Sequence, residues 1–344
     1  MPDPLPSSPR SPAWAPTRRR ALLTAAAFTT IGSVRAAVPE EATLLVAGPS
    51  QGPTALWADV ILPPLTQALP PGTRLARESI GGADGVTAAN QFEARVAADG
   101  GTALILPGAA VLAWLVGDTR ARFNAGQWVT ALAGITPAVI ASRLPLAQLT
   151  AGQVVRVAGG PAGAALPALL ALELMGTLPQ AIPPRPNHAD ADVVLLHGRE
   201  IAGQIDEAVQ GGFRPILVLQ DQAIGGSAGR NPSLPDIPTV GEWLPPGSPR
   251  PLATALGAAI AAVRLDTALV LPPLTSAAMV ALWRRACAQV AAAPSTQAAG
   301  ARFGIHPDAD ADAVASTAPL AAMDAAALLE LRHWLAQRFG WHSS

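Results

Sequence analysis

The sequence predicts an α/β protein in which short strands alternate with helices. Short runs rich in Val, Leu and Ile recur along the chain, and most are followed by a Gly- or Pro-containing turn and an Ala/Leu-rich helical stretch. The 31 glycines and 35 prolines are spread throughout, as many tight turns require. Strands and helices that alternate in this way favour a parallel sheet, and 344 residues are enough for two domains.

The first third of the chain carries three continuous β-rich runs. They predict strands at residues 43–47, 74–78 and 102–106. After the first strand, a helix is expected from Ala55 until Pro63 and Pro64 stop it, because proline removes a backbone donor. After the second strand, the glycine-rich turn 81–85 precedes a helix that runs to Ala97.

The rest of the chain continues the same pattern. Strands are predicted at 154–158, 215–219 and 268–271, while 192–196 fits either a strand or a helix. Helices are predicted at 164–175, from Leu252 onward, and at 324–339. The last helix places Leu328, Leu331, Leu335 and Phe339 on one face, which is the spacing of an amphipathic helix.

Residues 1–37 have the pattern of a secretory signal peptide. Three consecutive arginines end at Arg20, an apolar run continues to Ile31, and small residues follow at Ala36 and Ala37. The segment from Arg19 to Leu23 is similar to a twin-arginine signal, which predicts export to the periplasm. The alternative is an amphipathic surface helix.

Charge excludes several classes of function. The chain has no lysine, so neither a Schiff-base enzyme nor a P-loop with its lysine can be built. Residues 1–37 hold five of the 23 arginines and one of the 24 acids, which leaves a formal net charge of −5 on the remainder. This acidic balance argues against nucleic acid as a partner. We expect a soluble monomer after export.

Three turns rich in small residues follow predicted strands, at 48–54, 80–86 and 158–165. Free backbone N–H groups at the start of a helix attract anions, and small residues let a ligand approach them. The sequence therefore predicts a cleft for a small anionic solute. The candidate ligand-binding residues in these turns are Ser50, Gln51, Gly52, Thr54, Gly82, Ala83, Asp84, Gly160, Gly163 and Ala164, together with Pro107 and Gly108 directly after the strand at 102–106.

Other motifs support no catalytic, metal or cofactor site. Gly225–Gly229 matches the G-x-S-x-G hydrolase motif around Ser227, but the prolines that follow exclude the helix this motif needs. The segment 306–312 resembles a calcium loop yet lacks its glycine and final carboxylate, so its acids are expected to cap a helix. The cluster at 188–192 is either a polar helix start or part of a cleft. Cys287 fits a buried structural thiol.

Two segments carry sequence patterns of one known family. Residues 230–242, RNPSLPDIPTVGE, are similar to an R-S-x-x-L-P-D-V-P-T-V-x-E signature. Residues 81–86, followed by 98–104, look like a glycine-rich turn, a helix and a P-D-G-Y-T-L sequence. In these segments the chain resembles the Bug-type extracytoplasmic receptors of tripartite tricarboxylate transporters. The resemblance runs in order over about residues 42–340.

The resemblance implies a type II periplasmic-binding fold, with two α/β lobes around a ligand cleft. We expect residues 38–140 and 246–344 to form the first lobe and residues 141–245 the second. The family implies a small carboxylate ligand, hinge closure between the lobes, and delivery to membrane transporter subunits.

Several positions depart from the family pattern. The turn after the first strand loses a glycine and an acid at Gln51–Ala55, and residues 250–265 add a helical stretch. Arg185 replaces part of an expected Tyr-Lys pair. It is a candidate ligand-binding residue that would make a bidentate contact with a carboxylate if it faces the cleft, and the alternative is a surface arginine. One alternative function is a receptor for an ABC transporter or a sensor kinase. Another, in a different class, is an exported hydrolase that uses Ser227 with an acid and His306. A third is a divergent family member that binds no physiological solute.

Overall fold

Two β-sheets and the helices packed on them make up the described part of the protein. The structure, a computed structural model, describes residues 40–220 and 234–342. The predicted signal peptide, the G-x-S-x-G motif and residues 230–233 of the family signature lie outside these ranges.

The first sheet has six strands. These are β1 (Glu41–Ala47), β2 (Arg74–Ile80), β3 (Thr102–Leu106), β4 (Val129–Ile135), β10 (Leu265–Leu271) and β11 (His306–Ala309). They lie in the order β11-β4-β10-β3-β1-β2. Strands β1, β2 and β3 are mutually parallel, whereas β10 runs antiparallel to both of its neighbours.

The second sheet has five strands. These are β5 (Ala138–Ser142), β6 (Val154–Ala158), β7 (Leu178–Ile182), β8 (Val193–His197) and β9 (Arg214–Val218). They lie in the order β7-β6-β8-β5-β9. Strand β6 is parallel to β7 and β8, and β5 is antiparallel to β8 and β9.

The sequence predicts a parallel sheet, and each of the two sheets combines parallel with antiparallel strands. Strands β5 and β10 are each the first strand after the chain changes sheets, which it does between Ile135 and Ala138 and again between Val218 and Leu265. A strand that arrives from the other sheet starts at the edge where the strands joined by helices end. Its direction is therefore antiparallel to theirs.

The helices surround both sheets. They are α1 (Pro53–Ala68), α2 (Val86–Arg95), α3 (Gly108–Leu115), α4 (Leu166–Leu174), α5 (Ile201–Gln210), α6 (Arg250–Arg264), α7 (Ala277–Ala292), α8 (Pro294–Phe303), α9 (Asp310–Ala321) and α10 (Ala325–Phe339). Asp324 caps α10, because its carboxylate accepts a bond from Ala327 N at 2.7 Å. Asp310 and Asp312 lie in the first turn of α9, as the sequence predicts.

Helix α1 continues through two prolines, which corrects the prediction that it ends there. Pro63 and Pro64 lie inside the helix, which ends at Ala68. Proline removes an N–H bond and costs stability in a helix interior. Pro63 lies on the exposed face, and the opposite face buries Trp57, Ile61 and Leu65, so packing holds the helix together across the break.

The central packing element is α6, which corresponds to the helical stretch at 250–265 that the sequence adds to the family pattern. Ten of its residues are buried, and it packs against α3, α4, α9 and α10. Helix α4 follows the second sheet's β6 and is buried on nearly all sides, as suits a helix that is apolar all round. An ion pair at 2.9 Å between Arg338 of α10 and Glu173 of α4 adds a polar link. One apolar core therefore continues from the first sheet to the second.

No single helix in residues 40–220 and 234–342 is both long enough and apolar enough to span a membrane. The two helices Asp310–Ala321 and Ala325–Phe339 reach that length and apolarity only when taken together, and a bend of 63° separates them.

Candidate functional site

A cavity of about 420 Å³ lies between the elements of the two sheets. Pro107 lines it just after β3 ends, Thr136 just after β4 ends, and His197 at the end of β8. Leu265, which begins β10, lines it as well. Ligands of α/β proteins bind outside the carboxyl ends of strands, and a few hundred Å³ suits a small molecule. This cavity is the candidate site.

Two helix starts reach the cavity from opposite sheets. Gly108 and Ala109 begin α3, and Ala162–Ala164 form the turn before α4. The backbone N–H groups of Gly108, Ala109 and Ala164 donate no hydrogen bond to another described residue. Free N–H groups at the positive end of a helix dipole are donors suited to a carboxylate.

A third helix start is already occupied by the chain's own acid. The N–H of Val86, the first residue of α2, donates to Asp84 Oδ1 at 3.2 Å. Asp84 also pairs with Arg120, whose Nη1 lies 2.7 Å from Asp84 Oδ2. Asp84, in the glycine-rich turn at 81–85, therefore presents a carboxylate to the cavity.

Arg120 binds two carboxylates at the cavity edge. Besides Asp84, it contacts Asp118, with Nη2 to Oδ2 at 2.6 Å. Hydrogen bonds from Arg120 hold the pKa of the Asp118 carboxyl below its ordinary value, and the two acids raise the pKa of the guanidinium. The three side chains together carry one net negative charge.

A second ion pair joins the two sheets beside the cavity. Arg199, which follows β8, donates through Nε to Asp266 Oδ1 at 2.7 Å and through Nη2 to Asp266 Oδ2 at 2.8 Å. Its Nη2 also donates to Pro53 O at 3.0 Å, at the start of α1. Both side chains are largely buried, and bidentate geometry makes this a strong pair.

His197 brings an imidazole to the cavity. Its backbone N–H donates to Gln204 Oε1 at 3.2 Å, and Gln204 Nε2 donates back to His197 O at 2.9 Å. This pair of bonds anchors the end of β8 to α5. Burial lowers the pKa of the His197 imidazole, because desolvation penalises its charged form. The ring is therefore neutral at pH 7 and can donate or accept one hydrogen bond.

The remaining wall is apolar. Leu112 and Val116 of α3 and Val263 of α6 line it, together with Trp341 near the carboxyl terminus. The Trp341 indole is held in place by its Nε1–H, which donates to Val116 O at 3.2 Å.

The structure separates the predicted ligand-binding residues into two groups. Asp84, Pro107, Gly108, Gly163 and Ala164 line the cavity. The others lie outside its lining: Ser50, Gln51, Gly52, Thr54, Gly82, Ala83, Gly160 and Arg185. Arg185 is 68% exposed in its side chain and pairs with Asp190 at 2.6 Å, so its position is that of a surface arginine.

Sequence reasoning missed the side chains that give the cavity its polarity. Asp118 and Arg120 come from the loop after α3, whereas His197 ends β8 and Asp266 lies in β10, and no local motif links these three segments. For His197 the sequence did contain a signal, its position at the end of a β-rich run. Ligands of parallel sheets bind at the ends of the strands.

Part of the family signature has a structural role. Glu242 Oε1 accepts from the Thr239 N–H at 3.0 Å and from the Thr239 hydroxyl at 3.2 Å. The N–H of Glu242 donates to Thr239 O at 3.1 Å, so the two residues close a short helical turn. Val218 N donates to Pro238 O at 2.9 Å, which fixes this turn beside β9.

Within the described ranges, no three His, Cys, Asp or Glu residues are grouped so that they could hold a metal ion. Cys287 is fully buried, as the sequence predicts, and burial raises the pKa of its thiol to about 12.

Comparison with known proteins identifies the fold. No family model matches the chain, and no curated protein matches it significantly. A TctC solute-binding protein from Polaromonas, solved without ligand, is 17% identical over 86% of this chain and 98% of its own, with a TM-score of 0.62. The periplasmic binding protein BugD is 18% identical over 87% and 98%, with a TM-score of 0.50.

These likenesses cover nearly the whole of both solved chains, and they confirm the fold that the sequence motifs imply. The chain therefore has the two-lobed α/β fold of TctC- and Bug-type solute-binding proteins.

Proposed function

We propose that the protein is an extracytoplasmic solute-binding protein that captures a small carboxylate-bearing molecule in the cavity between its two sheets. The observation that carries the proposal is the meeting of two helix starts, at Gly108 and Ala164, in one cavity. Their unbonded N–H groups can bind a carboxylate from both sides, since the helix dipoles favour negative charge there.

Neighbouring groups complete a binding site of this kind. His197 offers one neutral imidazole to the solute, whereas the Thr136 hydroxyl already donates to Arg264 O at 3.1 Å and offers only its acceptor oxygen. The apolar wall formed by α3, α6 and Trp341 excludes water from the bound body of the solute. Binding and release need no covalent step, so the proposal assigns no catalytic residue.

The cellular role follows from the fold and the amino terminus. TctC- and Bug-type proteins of this fold are solute-binding proteins, and BugD is periplasmic. Residues 1–37 have the pattern of a signal peptide with twin arginines. We infer that the chain is exported and delivers its solute to the membrane subunits of a tripartite tricarboxylate-type transporter.

Thermal unfolding of the purified protein against a panel of solutes tests the binding function. The panel contains mono-, di- and tricarboxylates, amino acids and neutral sugars. A solute at a hundred times its Kd adds about 2.7 kcal/mol to the free energy of unfolding, which raises the Tm by several degrees. A shift with at least one carboxylate supports the proposal, whereas no shift in protein freed of co-purified ligand contradicts it.

A substitution that places a negative charge at the start of α4 tests whether the solute binds in this cavity. A Cβ at Gly163 meets only Gly160 O, at 3.6 Å, so the backbone has room for a side chain there, and Gly163→Asp places a carboxylate beside the cavity. We expect it to abolish the shift by charge repulsion. Gly203→Asp on α5 is the matched control, because that glycine also has free space and lies outside the cavity lining.

A further inference from the structure

The charges that line the cavity limit the number of anionic groups a solute can bring. Three of the lining residues are acids, Asp84, Asp118 and Asp266. Among the described lining residues, Arg120 alone carries a full positive charge, and both Asp84 and Asp118 already bind it. No lining cation is left for a second carboxylate of the solute.

The donors for a carboxylate are confined to one region. The unbonded N–H groups at Gly108, Ala109 and Ala164 lie at the two helix starts. The third helix start, at Val86, holds the chain's own Asp84 carboxylate, and this acid would repel an incoming anion. One carboxylate of a solute has partners, and a second would meet acids.

The rest of the cavity suits an apolar body. The lining side chains of Leu112, Val116 and Val263 are aliphatic, and Trp341 adds an indole whose Nε1–H is already used by Val116 O. An indole without a free polar group offers a solute its ring, which contacts aryl and alkyl groups.

We propose that the cavity selects a monocarboxylate with an aryl or alkyl body, which lies against Trp341, and disfavours dicarboxylates and tricarboxylates. This inference rests on the proposed function and names the solute class of the same site. The backbone amides bind the carboxylate and the apolar wall binds the body. Asp266 is paired with Arg199, whereas Asp84 and Asp118 share Arg120 and leave one net negative charge that repels a second anionic group.

Isothermal titration of the purified full-length chain at pH 7 measures the selectivity. The probes are phenylacetate and hexanoate as monocarboxylates, succinate and citrate as polycarboxylates, and benzylamine as an aryl cation without a carboxylate. We expect phenylacetate or hexanoate to bind at least about tenfold more tightly than succinate and citrate, since like charges repel strongly in a partly dry site. Benzylamine is expected to bind more weakly than phenylacetate.

Variants at Trp341 and Asp118 test the residues named. Trp341→Ala should weaken phenylacetate about threefold to tenfold, the range of an aromatic contact, and Trp341→Phe should restore most of that affinity. Trp243→Ala, at a tryptophan that is 42% exposed and outside the lining, is the matched control and should leave affinity unchanged. Asp118→Asn frees Arg120 of one carboxylate, so succinate should bind more tightly to this variant than to the wild type.

The outcomes separate the inference from the proposed function. Tighter binding of succinate or citrate than of either monocarboxylate overturns the inference and leaves the solute-binding function standing. Binding of no carboxylate overturns both. Equal affinities for phenylacetate in folded Trp341→Ala and Trp243→Ala remove Trp341 from the site and overturn the inference. Thermal unfolding of each variant checks that it is folded, and Trp341→Phe serves if the alanine variant is not.

Discussion

Gly108, the first residue of α3, packs against the carbonyl oxygen of Ala262 in the last turn of α6. A Cβ built on Gly108 would collide with that oxygen and lie 2.5 Å from Leu265 O. Both oxygens belong to backbone, which cannot rotate away. Because α6 also packs against α4, this contact ties the start of α3 to the element that joins the two sheets.

Replacement of Gly108 by alanine should therefore destabilise the protein. We expect Gly108→Ala to lower the free energy of unfolding by about 1–3 kcal/mol, the cost of overpacking a tight contact. Urea denaturation measures it. Gly203→Ala on α5, where a Cβ meets nothing within 4 Å, is the control and should be neutral or gain about 0.5–1 kcal/mol. Equal stability of the two variants would contradict the contact between α3 and α6.

The Arg199–Asp266 pair should matter more than surface pairs. Its side chains are only 18% and 11% exposed. Arg199→Met leaves Asp266 without its bidentate partner, and we expect a loss of about 1–3 kcal/mol in denaturant unfolding. Arg185→Met breaks the exposed pair with Asp190 and should change stability by less than about 1 kcal/mol. A loss in Arg185→Met as large as in Arg199→Met would contradict this ranking.

His197 should make stability depend on pH just below neutrality. Its pKa is lower in the folded protein than the ordinary value of about 6.5, so the unfolded chain binds the proton first as the pH falls. Stability should therefore decrease from pH 7 downward until the folded-state pKa is reached. His197→Asn should flatten that part of the profile, measured by urea unfolding from pH 8 to pH 5. An unchanged slope in the variant would remove His197 as its source.

The amino-terminal arginines should decide where the protein is found. We expect the double substitution Arg19→Lys, Arg20→Lys to keep the protein in the cytoplasm of a host with twin-arginine export, because such signals are read through the arginine pair. Cell fractionation and immunoblotting measure this. Arg10→Lys, outside the pair, is the control and should leave export intact. Periplasmic location of the double variant would argue for another route.

Strands β1 and β3 were predictable from their continuous apolar runs, whereas strand β4 was not. The runs at 43–47 and 102–106 became β1 and β3, which are buried on both faces. Strand β4 contains Thr130 and Gly134, which break its apolar pattern, and it was not predicted. Residues 192–196 fitted either structure, and pairing with β5 and β6 makes them strand β8.

The candidate site was only partly predictable, for a related reason. Small residues at strand ends located the helix starts at Gly108 and Ala164. The Asp118–Arg120 pair lies in a loop after α3, and Trp341 lies after α10. Neither segment has a local sequence motif. Only tertiary packing brings these residues to the cavity, so no spacing in the sequence reveals them.

The most direct test of the account is a crystal structure of the protein with the carboxylate that gives the largest thermal shift. The account places the solute carboxylate between the backbone amides of Gly108 and Ala164, with its body towards Trp341. Electron density for the solute in that position would support the solute-binding function directly. Density elsewhere, with this cavity filled only by water, would contradict it.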